Sequence, residues 1–349
     1  MSGPALRLLL LGFGNIGGKL AELLPDRASH PALADLDAAV VGIVTGRHGA
    51  VASAGGIDLA AAAAHLRSCG SFTGHPDAAS LDSPTAVAAL DYDVLVDTTP
   101  LSVTGRGEPT LGWLRAALGR GRHVVTCNKG PIAWGYRELA AEAHRRRVGL
   151  FFETTVMDGA PLFALARAGL RGNRIDRLEG ILNSTTNFVL GRLERGEKIA
   201  DAVRAAQVAG MAEADPSLDL DGWDAAVKLA VLVNVLMDVP LEPESIARAS
   251  LRDVEPARAA AAAAAGRRLK LVARAERRAG GVQAEVALRE VPAGDPFALV
   301  EGSGAALRIT GDILGTIVLS QELPDLSATA YGVIADLFAV QSLLRGDHT

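Results

Sequence analysis

Cysteine is scarce in this chain, and clusters of basic residues are few. Of the 349 residues, two are cysteines, Cys69 and Cys127, and neither stands in a disulfide or metal-ligand pattern. The 40 acidic residues outnumber the 35 basic ones, which leaves a formal net charge of −5. We therefore expect small-molecule partners in a reducing compartment and no nucleic-acid partner.

Long apolar runs are also missing. A membrane helix needs about 20 consecutive apolar residues, and the apolar stretch 225–237 is interrupted by Lys228 and Asn234. The apolar run 6–11 leads into a glycine turn and lacks the charged region and cleavage site of a signal peptide. We expect a cytoplasmic protein without membrane contact.

The length and the hydrophobic content of 49% are sufficient for two packed domains. Within residues 1–152, apolar runs alternate with helical patterns, which predicts a Rossmann-type, doubly wound parallel sheet of the α/β class. A helix predicted at 327–349 completes this domain. Residues 153–326 are predicted to form a second, α+β domain, in which the alanine-rich stretch 257–275 is expected to be helical.

A glycine-rich turn follows the first apolar run. Its residues match the dinucleotide fingerprint: Gly12, Phe13, Gly14, Asn15, Ile16 and Gly17. Glycines at these positions allow a tight turn and let amides at a helix start approach a pyrophosphate. The placement between strand and helix favours a nicotinamide dinucleotide over a purely structural turn.

Arg47 follows the second predicted strand, where an acidic residue would bind the ribose 2′-hydroxyl of NAD. An arginine there favours the 2′-phosphate of NADP, assisted by Thr45 or His48. We predict a preference for NADP over NAD, with a solvated loop arginine as the alternative.

Lys228 lies in an apolar stretch, four residues after Asp224 and on the same helix face. Burying an unpaired ammonium group is costly, which makes this lysine a candidate for chemistry. Taken alone, the spacing is more typical of a surface ion pair, and Asp219 or Asp221 can simply cap the helix.

Five motifs taken in order resemble those of homoserine dehydrogenases, namely residues 96–100, 124–131, 153–156, 180–187 and 212–228. Members of this family interconvert aspartate 4-semialdehyde and homoserine with NAD(P)(H), in the threonine and methionine branch of amino-acid biosynthesis. They are usually homodimers with a Rossmann domain and an α+β catalytic and dimerisation domain. The resemblance implies the same activity, fold and assembly here.

The resemblance also implies residue roles. Lys228 and Lys129 are the expected catalytic pair, and a lysine whose pKa is lowered towards ambient pH suits general acid catalysis. Thr99 and Lys129 are expected to contact the cofactor. The expected substrate-binding residues are Glu213, Asp219, Asp224, Ser184 and Thr185.

Residues 153–160 resemble a family segment whose backbone carbonyls bind a monovalent cation, typically sodium. By position, the donors are Glu153, Val156, Asp158 and Ala160. Hard cations prefer oxygen ligands, and irregular backbone at a domain junction is the alternative explanation.

One segment departs from the family pattern. Leu323, Pro324 and Asp325 precede the C-terminal helix where the family generally carries a Gly-Ala-Gly segment. Close approach of backbone to a cofactor suits glycine, so a nucleotide-binding sensor without efficient turnover is one alternative function. A second is an acylating semialdehyde dehydrogenase that uses Cys127 as nucleophile.

Overall fold

The computed structural model describes residues 5–252 and 254–346, and the chain divides into two compact units. The first unit consists of the described residues up to Gly159 together with the C-terminal helix, which begins at Leu326. The second unit spans Ala160–Asp325. Residues 347–349 of the predicted C-terminal helix lie outside the described part.

The first unit alternates strands with helices, as the sequence pattern predicts. Its elements before the second unit are β1 (Leu6–Leu11), α1 (Asn15–Leu23), β2 (Ala38–Val44), β3 (Ala50–Ala52), α2 (Leu59–Cys69), β4 (Ala78–Ala79), α3 (Ser83–Ala89), β5 (Val94–Asp97), α4 (Thr110–Gly119), β6 (His123–Thr126), α5 (Lys129–Arg146), β7 (Leu150–Phe151) and α6 (Thr154–Met157).

These strands form one sheet in the order β4-β3-β2-β1-β5-β6-β7. Strands β2, β1, β5, β6 and β7 run parallel, which confirms the predicted parallel sheet, while β3 and β4 add an antiparallel edge. The order reverses beside β1, because β2 lies on one side of it and β5 on the other. Ligands of open α/β sheets bind at such a switch point, outside the carboxyl ends of the strands.

The second unit is an α+β layer built on a mainly antiparallel sheet. Its elements are α7 (Leu162–Gly169), β8 (Ile175–Ile181), α8 (Ser184–Leu193), α9 (Ile199–Val208), α10 (Ser217–Leu220), α11 (Trp223–Leu232), β9 (Ala247–Arg248), α12 (Pro256–Ala264), β10 (Arg267–Arg278), β11 (Gly281–Pro292), β12 (Ala305–Gly311) and β13 (Gly315–Gln321). The strand order is β13-β12-β8-β10-β11-β9, and only the short β9 pairs in parallel, with β11.

The predicted helix at 257–275 is wrong in its second half. Helix α12 ends at Ala264, Gly266 takes a positive φ of 70°, and the chain continues as β10. Within β10, residues 269–273 are all buried, so the strand has buried side chains on both of its faces. Pairing with β8 and β11 on its two edges then decides for the strand.

The last helix, α13 (Leu326–Arg345), returns to the first unit and completes its core. Ala330, Val333, Ile334, Leu337 and Val340 are buried in the same cluster as the inward side chains of β1. The helix is long and apolar enough to span a membrane by length and composition. Of the apolar window, 44% is buried inside the unit.

Helix α13 also binds the segment after β7. The backbone amide of Glu153 donates to Asp336 Oδ2 at 2.8 Å, and Thr329 Oγ1 donates to Asp158 Oδ1 at 3.2 Å. The first unit therefore extends beyond residue 152, where the sequence pattern placed its end.

Candidate active site

The glycine turn lies at the carboxyl end of β1, next to the switch point. Gly12 has a φ of +87°, and a Cβ on it would come within 2.9 Å of the Thr98 backbone. Gly14 precedes helix α1 and has open space where a side chain would stand. The turn therefore exposes the first amides of α1, an arrangement that fits a dinucleotide pyrophosphate.

The other residues of the fingerprint support this turn. The side chain of Phe13 is buried, and a Cβ on Gly17 would lie 2.9 Å from its ring, so helix and turn pack closely. Asn15 and Ile16 form the first turn of α1. The third glycine thus has the packing role that the fingerprint gives it.

The loop after β2 carries the predicted phosphate-binding residues. Thr45 Oγ1 donates to the carbonyl of Gly49 at 2.9 Å and accepts from the His48 amide at 2.8 Å. The His48 ring is bonded to the Gly70 carbonyl, whereas Arg47 is exposed to solvent. Arg47 is therefore available to an anionic group at this edge, and Thr45 and His48 shape the loop.

A buried carboxylate, Asp97, organises the ends of β5 and β6. It accepts hydrogen bonds from the hydroxyls of Thr99 and Thr126, both at 2.6 Å. Burial raises the pKa of Asp97, and these hydrogen bonds act against the rise. Asn128 caps α5 and also donates to Thr99 Oγ1 at 3.2 Å, so Thr99 lies in a fixed network.

Lys129 is the first residue of α5 and is half-buried. Its place directly after β6 puts it at the carboxyl edge of the sheet, on the same edge as the glycine turn. Cys127, two residues earlier, is a poor nucleophile, because burial raises the pKa of its thiol to about 12.

In the second unit, Lys228 on α11 meets two acceptors. Its ammonium lies 3.2 Å from Asp224 Oδ2 and donates to the Leu182 carbonyl at 2.7 Å. The side chains of Lys228 and Asp224 are only 17% and 10% exposed, so the pair is not a surface ion pair. Lys228 is thus largely buried, and its two acceptors offset the desolvation of its charge.

Asn183 joins this pair to a second carboxylate. Its amide group donates to Asp219 Oδ1 at 2.7 Å and to Asp224 Oδ2 at 2.9 Å. Burial and the nearby charge of Asp224 raise the pKa of Asp219, while hydrogen bonds from Asn183 and Thr185 and the charge of Lys228 oppose the rise. The three side chains and Lys228 form one polar cluster, called here the carboxylate cluster: Asn183, Asp219, Asp224 and Lys228.

The remaining predicted substrate residues, Thr185, Ser184 and Glu213, differ in whether they contact this cluster. Thr185 is buried and bonds to Asp219 and to the Met211 carbonyl. Ser184 begins α8, and its hydroxyl donates to the Ser303 carbonyl at 3.1 Å. Glu213 is exposed, and no hydrogen bond or ion pair joins its carboxylate to the cluster in the described part of the chain.

The predicted cation segment is divided between the two units. Glu153, Val156 and Asp158 lie in the first unit, and Ala160 begins the second. Asp158 has a φ of +42°, an irregular backbone that turns the chain. The Ala160 carbonyl already accepts from the Leu162 amide at 2.7 Å.

Asn183 and Asp97 were not among the predicted site residues, although both lie within the family-like motifs. Asn183 follows a strand and precedes a helix with Thr186 three residues on, which is an N-cap pattern. The cap is present, since its Oδ1 accepts from the Thr186 amide at 2.8 Å. Its second role, donation to two aspartates, involves residues 36 and 41 positions away and depends on the fold.

A family model for homoserine dehydrogenase matches residues 161–338, about half of the chain. The chain belongs to the homoserine dehydrogenase family. It is accordingly an NAD(P)-dependent oxidoreductase that acts on homoserine, an enzyme of amino-acid biosynthesis.

Full-length similarities support this assignment. The chain is 34% identical over 98% of its length, and 99% of the relative's, to an NAD(+)-dependent homoserine dehydrogenase of Pseudomonas canavaninivorans. It is 30% identical to a homoserine dehydrogenase of Sulfurisphaera tokodaii, over 96% and 99% of the two chains. A hyperthermophilic archaeal homoserine dehydrogenase in complex with NADPH superposes with a TM-score of 0.81 at 29% identity, covering 97% and 98%. The predicted family and fold class are thus confirmed.

Proposed function

We propose that Lys228 and Lys129 carry the proton in the interconversion of homoserine and aspartate 4-semialdehyde. The observation that supports this most is the carboxylate cluster, which keeps a largely buried ammonium group in a fixed position. Lys129, at the carboxyl edge of the nucleotide-binding sheet, is the second amine that the family motifs supply.

The chemistry follows from the reaction. Oxidation of the primary alcohol removes a hydride from carbon and a proton from oxygen, and NAD(P)+, when bound, would supply the hydride acceptor. In our proposal a lysine amine takes the hydroxyl proton, and in the reverse direction its ammonium protonates the developing alkoxide. The substrate also carries an α-ammonium and an α-carboxylate. Asp219 and Asp224 suit its ammonium group, and Ser184, Thr185 and Glu213 are proposed as further contacts.

Two lysine variants with a matched control test this site. Removing a general acid or base commonly lowers the rate about 100- to 10,000-fold, so we expect losses of this size in kcat for Lys228→Ala and Lys129→Ala. Lys198→Ala, an exposed lysine before α9, serves as the control and is expected to keep the original rate. Wild-type rates in both site variants would refute the lysine mechanism.

We further propose NADP as the preferred cofactor, with Arg47 binding its 2′-phosphate. One relative uses NAD(+) and another binds NADPH, so the family accommodates both. The exposed guanidinium after β2, in a loop without an acidic residue, supports NADP. We expect Arg47→Ala to raise the KM for NADPH about tenfold, the size of one charge-assisted hydrogen bond, with little effect on NADH.

Arg67→Ala, at the exposed end of α2, is the matched control for Arg47. Equal effects of Arg47→Ala on NADPH and NADH would contradict the proposed phosphate contact. So would a higher kcat/KM of the wild-type enzyme with NADH than with NADPH.

We also propose a homodimer and a cytoplasmic location. In addition, we propose a sodium ion bound by the backbone carbonyls of Glu153, Val156, Asp158 and Ala160. Each is supported by the family resemblance. Activity in sodium and in choline chloride at equal ionic strength tests the cation, and light scattering tests the dimer.

A nucleotide-binding sensor is the second candidate function, because Leu323 departs from the family glycine and takes a positive φ of 41°. A sensor would bind NADPH and show no oxidation of it by aspartate 4-semialdehyde. The cysteine-dependent alternative is weakened by the raised pKa of Cys127.

A further inference from the structure

Lys270 is a buried cation that the proposed chemistry does not use. It lies on β10, is 4% exposed, and has a pKa lowered mainly by that burial, with Glu194 and Glu301 opposing the shift. A lysine is among the residues least often buried, because its charge must be paired or solvated by the protein.

The ammonium of Lys270 connects two segments of the second unit. It donates to Asn187 Oδ1 on α8 at 2.8 Å and to the Val300 carbonyl at 2.6 Å. Asn187 in turn donates to the carbonyls of Val300 and Gly302, both at 3.2 Å. Ser184, one turn earlier, donates to the carbonyl of Ser303. The first turns of α8 are thus tied to residues 300–303 by a set of hydrogen bonds in which Lys270 joins Asn187 to the Val300 carbonyl.

The same helix start contacts the carboxylate cluster through Asn183 and the neighbouring Leu182. Asn183 caps α8, stands four residues before Asn187, and donates to Asp219 and Asp224. Leu182, the residue before the cap, supplies the carbonyl that accepts from Lys228. A rotation or shift of this helix end would move the Asn183 amide and the Leu182 carbonyl away from Asp219, Asp224 and Lys228.

From this connection we propose that Lys270 is a positioning residue for the amino-acid substrate. Its ammonium holds the start of α8 in place. Through Asn183 and the Leu182 carbonyl, this helix start then fixes the positions of Asp219, Asp224 and Lys228 relative to one another. The proposal rests on the substrate role given above to the carboxylate cluster.

The main test removes the charge of Lys270 and keeps the approximate length of its side chain. In Lys270→Met we expect kcat/KM for homoserine to fall about tenfold to a hundredfold, the cost of small misplacements of binding groups. We expect the fall to come mainly from a higher KM for homoserine, while the Kd of NADPH, measured by fluorescence, stays at its original value.

Arg277→Met is the matched control. Arg277 lies on the same strand and donates to the carbonyls of Ile175 and Met237, so it too ties segments of this unit through backbone oxygens. If both variants lower the melting temperature but only Lys270→Met raises the KM for homoserine, the positioning role is supported. Equal KM values in the two variants would overturn it.

A cavity next to Lys270 allows a second, independent readout. Its volume is about 170 Å³, and Asn187, Phe188 and Gly302 are among its lining residues. In Lys270→Ala, added propylamine should enter this space and restore kcat/KM for homoserine in a saturable manner. No recovery at any amine concentration, with the variant folded, counts against the proposal.

Asn187→Ala keeps the test decisive if the lysine variants do not fold. It removes the acceptor that joins α8 to Lys270, and an unchanged KM for homoserine would overturn the proposal. Failure of the proposed function is distinguishable, because it would appear as wild-type rates of both Lys228→Ala and Lys129→Ala. Loss of activity in Lys228→Ala with an unaffected Lys270→Met rejects the positioning role alone.

Discussion

Asp219 has a charge that the folded state makes unfavourable. Its pKa is raised because the carboxyl is largely desolvated and lies near Asp224, so the native protein binds this proton more tightly than the unfolded chain does. Stability then falls as pH rises from the ordinary aspartate pKa through the raised native value. The substrate role proposed for Asp219 needs the charged form, because an ammonium group is attracted to carboxylates.

Asp219→Asn should therefore separate stability from activity. We expect the free energy of unfolding of the variant to rise relative to wild type between acidic pH and pH 7, since the variant lacks the unfavourable charge. The KM for homoserine should rise at the same time. Denaturant unfolding of both proteins at several pH values measures the effect, and a stability difference independent of pH would show that the charge is not its cause.

Asn183 and Lys228 show how residues in common local sequence patterns can belong to a proposed site. An asparagine before a helix and a lysine four residues after an aspartate both have common structural explanations, capping and ion pairing. Both explanations hold here, since Asn183 caps α8 and Lys228 pairs with Asp224. The functional proposal depends on two further observations. Lys228 and Asp224 have low exposure, and the side-chain amide of Asn183 donates to both Asp219 and Asp224.

At the scale of elements, the turn between β1 and α1 is tightly constrained at its first glycine. Gly12 combines a φ of +87° with contacts below 3 Å to Thr98 for any added Cβ. Gly18, six residues later and inside α1, has neither constraint, because its φ is helical and a Cβ added to it would meet no atom within 4 Å.

These two glycines make a matched pair. Gly12→Ala should lower the free energy of unfolding by about 2–4 kcal/mol, from left-handed strain and overpacking together, and should abolish measurable NADPH binding. Gly18→Ala should raise it by about 0.5–1 kcal/mol, because alanine suits a helix interior better. Thermal unfolding with and without NADPH tests both, and similar behaviour of the two variants would contradict the role given to the turn.

Strand β10 shows where element prediction from local pattern fails. An alanine-rich run favours a helix over 256–264, and nothing local forbids its continuation except Gly266. The strand forms because β8 and β11 offer partners on both edges, and strand pairing is a tertiary effect that outweighs propensity.

At the scale of the whole molecule, the chain returns to its first unit at the end. Helix α13 supplies Val333, Ile334, Leu337 and other buried side chains to a core that also contains Leu8 and Leu10 of β1. A buried aliphatic side chain contributes about 1.5–3 kcal/mol by leaving water. Loss of Val333, Ile334, Leu337 and Val340 together would therefore cost about 6–12 kcal/mol, which is comparable to the whole stability of a typical domain, about 5–15 kcal/mol.

A truncation after Asp325 should therefore leave the nucleotide-binding unit unable to fold. We expect loss of NADPH binding and of cooperative unfolding for that unit, measured by calorimetry. Leu344→Ser, at a position of α13 that is 56% exposed, is the control and should bind NADPH normally. Normal NADPH affinity of the truncated chain would show that α13 is not part of this unit's core.

The sequence by itself predicted the parallel α/β class of the first unit and the glycine turn between β1 and α1. Buried parallel strands are continuous apolar runs, and the glycine spacing is a direct requirement of backbone geometry next to a phosphate, so both are visible locally. The series of motifs that includes Lys129 and Lys228 also sufficed to identify the family, which the comparisons confirmed.

Only the tertiary structure decided which polar residues act together. It joined Asn183 to Asp219 and Asp224, tied Lys270 to Asn187 and Val300, left Glu213 apart from that cluster, and placed α13 in the core that β1 begins. The physical reason is the same in each case: hydrogen bonds and burial depend on distances between residues far apart in the chain, and no local pattern of residue types contains those distances.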